Sequence, residues 1–351
     1  MYILLAILIF SALIVVHELG HFLTAKAFGV QVNEFSIFMG PKLLQWKGKE
    51  TTYSLRCIPL GGYCAMEGEN GDSDSPRAFT AAAPWKRAII LVAGAAMNFL
   101  LGFLVILCIY APAKQFSAPV LKDFYEGCPY EAEEGFQVGD RILSVNGKAV
   151  HTVDDFSLYM SRAGETVDLK LLRNGETVLL EDYPLVKVEY TENGVTEWMY
   201  GLYFDVVPAT FGTHLQQAWY RCCYFTRLVW TGLSDLVTGA VGIKDMSGPV
   251  GIVAAINETG ESAESTSEGI LDVLYLGAFI AVNLAVMNLL PIPALDGGRV
   301  FCLLVTWVIE LITRKKPDPK YEAYIHGAGM LLLMGLMVYI MFQDVIKLIF
   351  K

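Results

Sequence analysis

Four long apolar stretches organise the chain. They run from about Tyr2 to Phe28, Ala88 to Ala111, Ile270 to Leu290 and Ala323 to Phe350. A helix needs about 20 mostly apolar residues to cross a bilayer, so each stretch predicts a membrane-spanning helix. A shorter apolar piece, Val300 to Ile312, follows Pro291 and Pro293; it either continues a broken third span or lies on the surface. Between the first two spans, Glu34–Pro41 and Thr52–Tyr63 combine β-branched and aromatic residues with bounding turns. They predict strands, being too short to cross as helices. Residues 113–206 carry strand signals at Ile142–Val145 and Val167–Leu171, a hairpin at Arg173–Glu176 and a short helix over Asp154–Ala163. That pattern predicts a small, partly open β domain. Thr213 to Val241 mixes Trp219, Tyr220, Phe225 and Trp230 with Gln, Arg and Asp, the profile of an interfacial helix. Asn257 to Ser267 is polar and small and predicts a loop.

The expected order is a first span (1–28), a membrane-associated β region on the cytoplasmic side (29–87) and a second span (88–112). An extracytoplasmic domain (113–206), an interfacial helix and loop (207–267), a broken third span (268–313) and a last span (322–350) follow. The fold class is thus a multi-span α-helical membrane protein with a β-hairpin element and one outer domain.

Composition supports a membrane protein: 54% of residues are hydrophobic and 18% charged, against about one quarter charged in soluble domains. The opening run, MYILLAILIFSALIVV, has no basic leader and no small-residue cleavage site, which predicts a retained span. Seventeen acidic and eight basic residues fall between Ala113 and Val206, so the net charge of −10 is concentrated there. Lys42, Lys47, Lys49, Arg56, Arg77, Lys86 and Arg87 follow the first span, and Arg314, Lys315, Lys316 and Lys320 precede the last. Both clusters are expected in the cytoplasm, with the acidic domain outside. No basic stripe suggests nucleic acid. Seven cysteines show no C-x-x-C pair and read as small buried hydrophobes.

The costly residues sit inside the first span: His17, Glu18 and His21. An ionisable side chain at mid-span costs about 2.5–3.5 kcal/mol on insertion scales and is functional by default. His17 and His21 are four apart, so one helical face carries both imidazoles toward a single metal ion. Glu18, offset by one residue, reaches a ligand of that metal without binding it. His17 lies about 24 Å along the helix at 1.5 Å per residue, past mid-membrane. A third protein ligand must come from elsewhere. Asp296 is the leading candidate, because Pro291 and Pro293 break the third span at similar depth. Irregular backbone is tolerated there only when buried in protein or lining a polar cavity. His326, at the start of the last span, competes with it. Asn288, close to the break, could hold a substrate main chain near the metal; Asn283 and Asn98 read as hydrogen-bonding glue between helices.

Three motifs then resemble those of the site-2 protease family of intramembrane zinc metalloproteases, in its bacterial RseP type. They are His17-Glu18-Leu19-Gly20-His21, Ser247-Gly248-Pro249-Val250-Gly251-Ile252, and Asn288 through Gly298 with Leu295-Asp296-Gly297. The resemblance covers nearly the whole chain. It implies Zn2+ bound by His17, His21 and Asp296, a catalytic Glu18, and a PDZ-like outer domain, here one instead of two. It implies single-span membrane-protein substrates, such as anti-sigma factors, other regulators or signal-peptide remnants, cut in the bacterial cytoplasmic membrane. Exposed peptide ends would bind the PDZ-like domain. It also implies a membrane-associated β element, whose edge strand would pair with the unwound substrate. Thr52, Tyr53, Ser54, Leu55, Arg56, Cys57 and Ile58 are the expected edge. Two other classes stay open from the residues alone: an ion-coupled transporter, and a PDZ-type scaffold with a structural metal.

Overall fold

The structure, a computed structural model, describes residues 1–69, 73–192, 195–242, 244, 246–314 and 319–349. Lys315 and Lys316 of the second basic cluster, and Phe350 at the end of the last span, lie outside the described residues. The first elements are α1 (Tyr2–Ala27), β1 (Val32–Lys47), β2 (Thr52–Met66) and α2 (Pro84–Tyr110). Then come β3 (Gln115–Phe124), β4 (Arg141–Val145), β5 (Lys148–Ala149), α3 (Val153–Met160), β6 (Thr166–Arg173) and β7 (Glu176–Pro184). The chain continues with β8 (Val188–Glu192), β9 (Val195–Met199), β10 (Leu202–Pro208) and α4 (Phe211–Thr238). It ends with α5 (Pro249–Ser262), α6 (Thr266–Asn288), α7 (Asp296–Thr313) and α8 (Pro319–Ile349). These residues divide into two units, Met1–Ile109 with Phe225–Lys351, and Tyr110–Tyr224.

In the first unit, α1, α2, α6 and the part of α8 from Tyr324 to Lys347 are long and apolar enough to cross a membrane. Two cores grip α1 at opposite ends. Ala6 and Leu13 pack with Ile256 of α5 and Val273, Ile280 and Ala281 of α6. Ala25 joins Val32 and Phe35 of β1, Cys64 and Met66 of β2, and Ile90 and Leu91 of α2. The histidine motif lies between these cores. Gly20 brings α1 against α2 so closely that a Cβ there would collide with the Ala93 carbonyl oxygen.

β1 and β2 are both bent. Phe38, Gly40 and Gly61 take φ of 69°, 85° and 87°. Each strand therefore pairs twice: 42–47 with 52–56, 34–37 with 52–55, and 34–37 again with 62–65. The segments lie in the order 42–47, 52–56, 34–37, 62–65. Arg56 ties three of them together, pairing with Glu34 at 3.1 Å and donating to Tyr63 Oη at 2.6 Å and the Gly40 carbonyl at 2.7 Å. Burial would raise the Glu34 carboxyl, but hydrogen bonds involving Ser54, Arg56 and Tyr63 hold it below the usual carboxylate range.

This register corrects the expected open edge. Thr52, Tyr53, Ser54 and Leu55 have partners on both sides, Arg56 faces Lys42, and Ile58 faces Met39, with Cys57 between them. Residues 52–55 are interior, while Arg56 and Ile58 pair on one side. Composition marks a strand but does not say which of its sides a bent neighbour will cover. A second correction concerns Asn257–Ser267, expected as a loop. Asn257 to Ser262 complete α5, and Thr266 already begins α6. Pro249 opens α5 with a preset φ. Its free N–H groups at Gly248 and Gly251 donate to the buried Asp344 carboxylate of α8 at 2.9 and 2.8 Å. Ile256 is fully buried, so packing and this cap outweigh the poor helix propensity of the polar end.

The second unit has one sheet in the order β10, β3, β4, β6, β7, with β5 on β4, and a separate β8–β9 hairpin. Its core contains Leu121, Phe136, Ile142, Phe156, Leu169 and Leu171. The fully buried Asp140 takes a two-pronged bond from Arg173 at 2.8 and 2.7 Å, which offsets the cost of burying its charge. Thr152 and Asp155 form a capping box that starts α3. β10 ends the sheet, and its Phe204 packs on Phe156 of α3 at 5.6 Å.

Candidate metal centre

His17 and His21 stand one turn apart on α1, with ring centroids 4.8 Å apart and planes at 83°. Their Nε2 atoms are 3.2 Å apart. Asp296 Oδ2 lies 3.1 Å from His17 Nε2 and 3.4 Å from His21 Nε2. Ligands around a tetrahedral zinc at about 2.0–2.1 Å stand about 3.3 Å from one another. The three atoms therefore form one face of such a tetrahedron.

The outer contacts fit the same ion. His21 Nδ1 lies 2.8 Å from the Ile90 carbonyl oxygen, which only an Nδ1–H can satisfy. With that proton in place, Nε2 is the His21 nitrogen turned toward the Asp296 carboxylate, and a cation between the two, a proton or a metal ion, satisfies both. His17 Nδ1 is 3.5 Å from the amides of both Asn98 and Asn288. Asn98 is 1% exposed, and its Oδ1 is buried with no hydrogen-bond partner. An Asn98 amide turned so that Oδ1 faces His17 Nδ1–H gives both groups a partner. Gly94 leaves room for the imidazoles, since a Cβ there would collide with His21 Nε2.

Asp296 enters by a tight turn. Ala294 takes φ 78°, and its N–H donates to His326 Nδ1 at 3.0 Å. His326 thus holds the turn and is not in the triad of ligand atoms. Side chains at positions 297 and 298 would collide with the carbonyl oxygens of Leu289 and Ile292, so glycine is required at both. Asp296 begins α7, where a carboxylate suits the positive end of the helix dipole.

The triad opens on a cavity of about 370 Å³ also lined by Glu18, Tyr63, Cys64, Ala65 and Met66. The Cys64 main chain hydrogen-bonds to the Glu18 carboxylate. Burial, then the nearby Glu18 and Glu69 charges, push the Cys64 thiol up, and Cys64 is not part of the His17–His21–Asp296 group. Among the described residues, no strand pairs with the outer side of 62–65, and Tyr63, Cys64 and Ala65 line the cavity. Of the expected substrate contacts, Asn288 meets His17 Nδ1, and neither it nor Thr52–Ile58 is among the residues that line the cavity. Sequence reasoning missed the 62–65 edge; it read Asn98 as hydrogen-bonding glue between helices without finding its partner, His17. A polar residue within α2's apolar run was the only signal for Asn98.

Two histidines one turn apart, an aspartate across from them and a glutamate in the same cavity, set among membrane-length helices, define a membrane metallopeptidase. The chain belongs to peptidase family M50, the site-2 protease family of intramembrane zinc metalloproteases, whose pattern matches residues 5–336. Relatives bearing the name zinc metalloprotease include one from Clostridium perfringens, 36% identical over 99% of each chain. One from Clostridium acetobutylicum is 38% identical over 98% of this chain and 97% of its own. The zinc metalloprotease RasP of Geobacillus kaustophilus is 29% identical over 97% of each. The protein is accordingly a zinc-dependent protease and an integral membrane protein.

Proposed function

We propose that this protease cuts the membrane-spanning segments of single-span membrane proteins, holding the unwound substrate against strand 62–65 beside the metal. One observation carries the reading: the His17–His21–Asp296 face and Glu18 share a cavity with residues of strand 62–65, whose outer side pairs with no strand among the described residues. His17, His21 and Asp296 would hold zinc, which when bound supplies Lewis acidity for peptide hydrolysis. Glu18 takes a proton from the attacking water and returns it to the leaving amide nitrogen. The Cys64 N–H keeps the Glu18 carboxylate oriented for that transfer. Asn288, beside His17, holds a substrate main-chain group. A peptide bond in a helix is shielded by its own hydrogen bonds, so the substrate must extend. Its freed N–H and C=O groups are costly in a low-dielectric site, and a strand edge satisfies them regardless of side chain.

The test uses purified protein in liposomes, with Glu18→Gln to trap substrate and native cysteines replaced. Ala65→Cys is expected to crosslink to a single-span substrate, and Leu55→Cys is not. Crosslinks at position 55 alone would move the substrate to another edge.

The basic clusters support a bacterial cytoplasmic-membrane location with the active site toward the cytoplasm and residues 113–206 outside. We assign that segment a PDZ-like filtering role, with the sheet-end strand β10 as the candidate dock for an exposed peptide end. Deleting 117–206 with a short linker is expected to preserve zinc binding and to admit substrates with intact outer domains. Unchanged selectivity in such a deletion would contradict the filter.

A further inference from the structure

Glu69 and Arg299, 230 positions apart, form an ion pair. Glu69 follows the end of β2 by three residues, and its Oε2 accepts the Met66 N–H at 3.4 Å. Arg299 follows Asp296 by three residues on α7, so the two share a helix face. Both side chains line the cavity that holds His17, Glu18 and His21. They are largely withdrawn from water, at 13% and 29% exposed. The pair therefore joins the end of the edge strand to the first turn of the helix that carries the third metal-side residue.

An extended peptide added to a strand edge sits about 4.8 Å from it. The bond to be cut must also lie beside Asp296 and Glu18. The separation and register of strand 62–65 relative to α7 thus decide which peptide bond is presented. We propose that Glu69 and Arg299 are a positioning pair that sets the width and register of the substrate slot. The pair acts through the two walls it joins. This inference rests on the peptidase reading above.

The experiment compares wild type, Glu69→Gln, Arg299→Gln and the double exchange Glu69→Arg with Arg299→Glu, all full length and reconstituted with a single-span substrate. Zinc content, kcat/KM and the masses of the products are measured. Each single variant should keep its zinc, lose about tenfold or more in kcat/KM through misplacement of the bond, and cut several neighbouring bonds. The exchanged pair should return to a single cut and to within about threefold of wild-type kcat/KM. Single variants that cut one bond at the wild-type rate would overturn the proposal. So would an exchange no better than the single variants, or loss of zinc in them, which would make the pair a support of the metal site. A zinc-loaded wild type that cleaves nothing overturns the peptidase reading and the slot together.

Discussion

Glu18→Gln is expected to keep about one zinc per chain and to lower cleavage on the order of 10²–10⁴-fold, the range of a positioned general acid–base. Glutamine matches the shape of glutamate and still accepts the Cys64 main-chain hydrogen bond, so the cavity stays intact. It cannot take a proton. Glu18 is one residue out of step with His17 and His21, which keeps its carboxylate off the ligand face. Metal analysis beside single-turnover cleavage separates the two roles. Loss of zinc in Glu18→Gln would make Glu18 a ligand, and near-normal cleavage would place the proton transfer elsewhere.

Asp296→Ala is expected to remove both zinc and activity. Asp296 Oδ2 closes the three-atom face at 3.1 and 3.4 Å from the two imidazoles. Without it two neutral nitrogens remain. Changing an outer-shell partner alone costs about 10–100-fold in metal affinity, so losing one of three direct ligands should cost more. Alanine also strips the first turn of α7 of its carboxylate, a smaller effect of about 0.3–1 kcal/mol. Zinc affinity by competition with a chelator, and cleavage at saturating zinc, give the comparison. Full zinc and full activity in Asp296→Ala would refute the ligand assignment. His326 would not inherit the role, because it is engaged with the Ala294 N–H.

The parts readable from sequence share a short range or a strong cost. His17, Glu18 and His21 fall within one turn and a half, and charged groups in an apolar run demand a reason. Asp296 was readable because two prolines end α6 where a ligand was lacking. The unreadable parts depend on distant partners or unsignalled bends. Phe38 takes a positive φ with no glycine to announce it, so the doubled pairing of β1 and β2 was hidden, and Thr52–Leu55 was mistaken for part of an edge. The polar end of α5 depends on a helix capped by Asp344, 93 and 96 positions away. Asn98 meets His17 across 81 positions. Its role follows only when the unpartnered amide oxygen and the imidazole N–H are seen together.

The most direct measurement is zinc K-edge X-ray absorption on the Glu18→Gln protein, which holds the metal without turnover. Two imidazole nitrogens and carboxylate or water oxygens at about 2.0–2.2 Å are expected. His21→Ala should remove one imidazole from that shell and Asp296→Ala one oxygen. A sulfur shell at about 2.3 Å, or three imidazoles, would contradict the ligand set on which the mechanism stands.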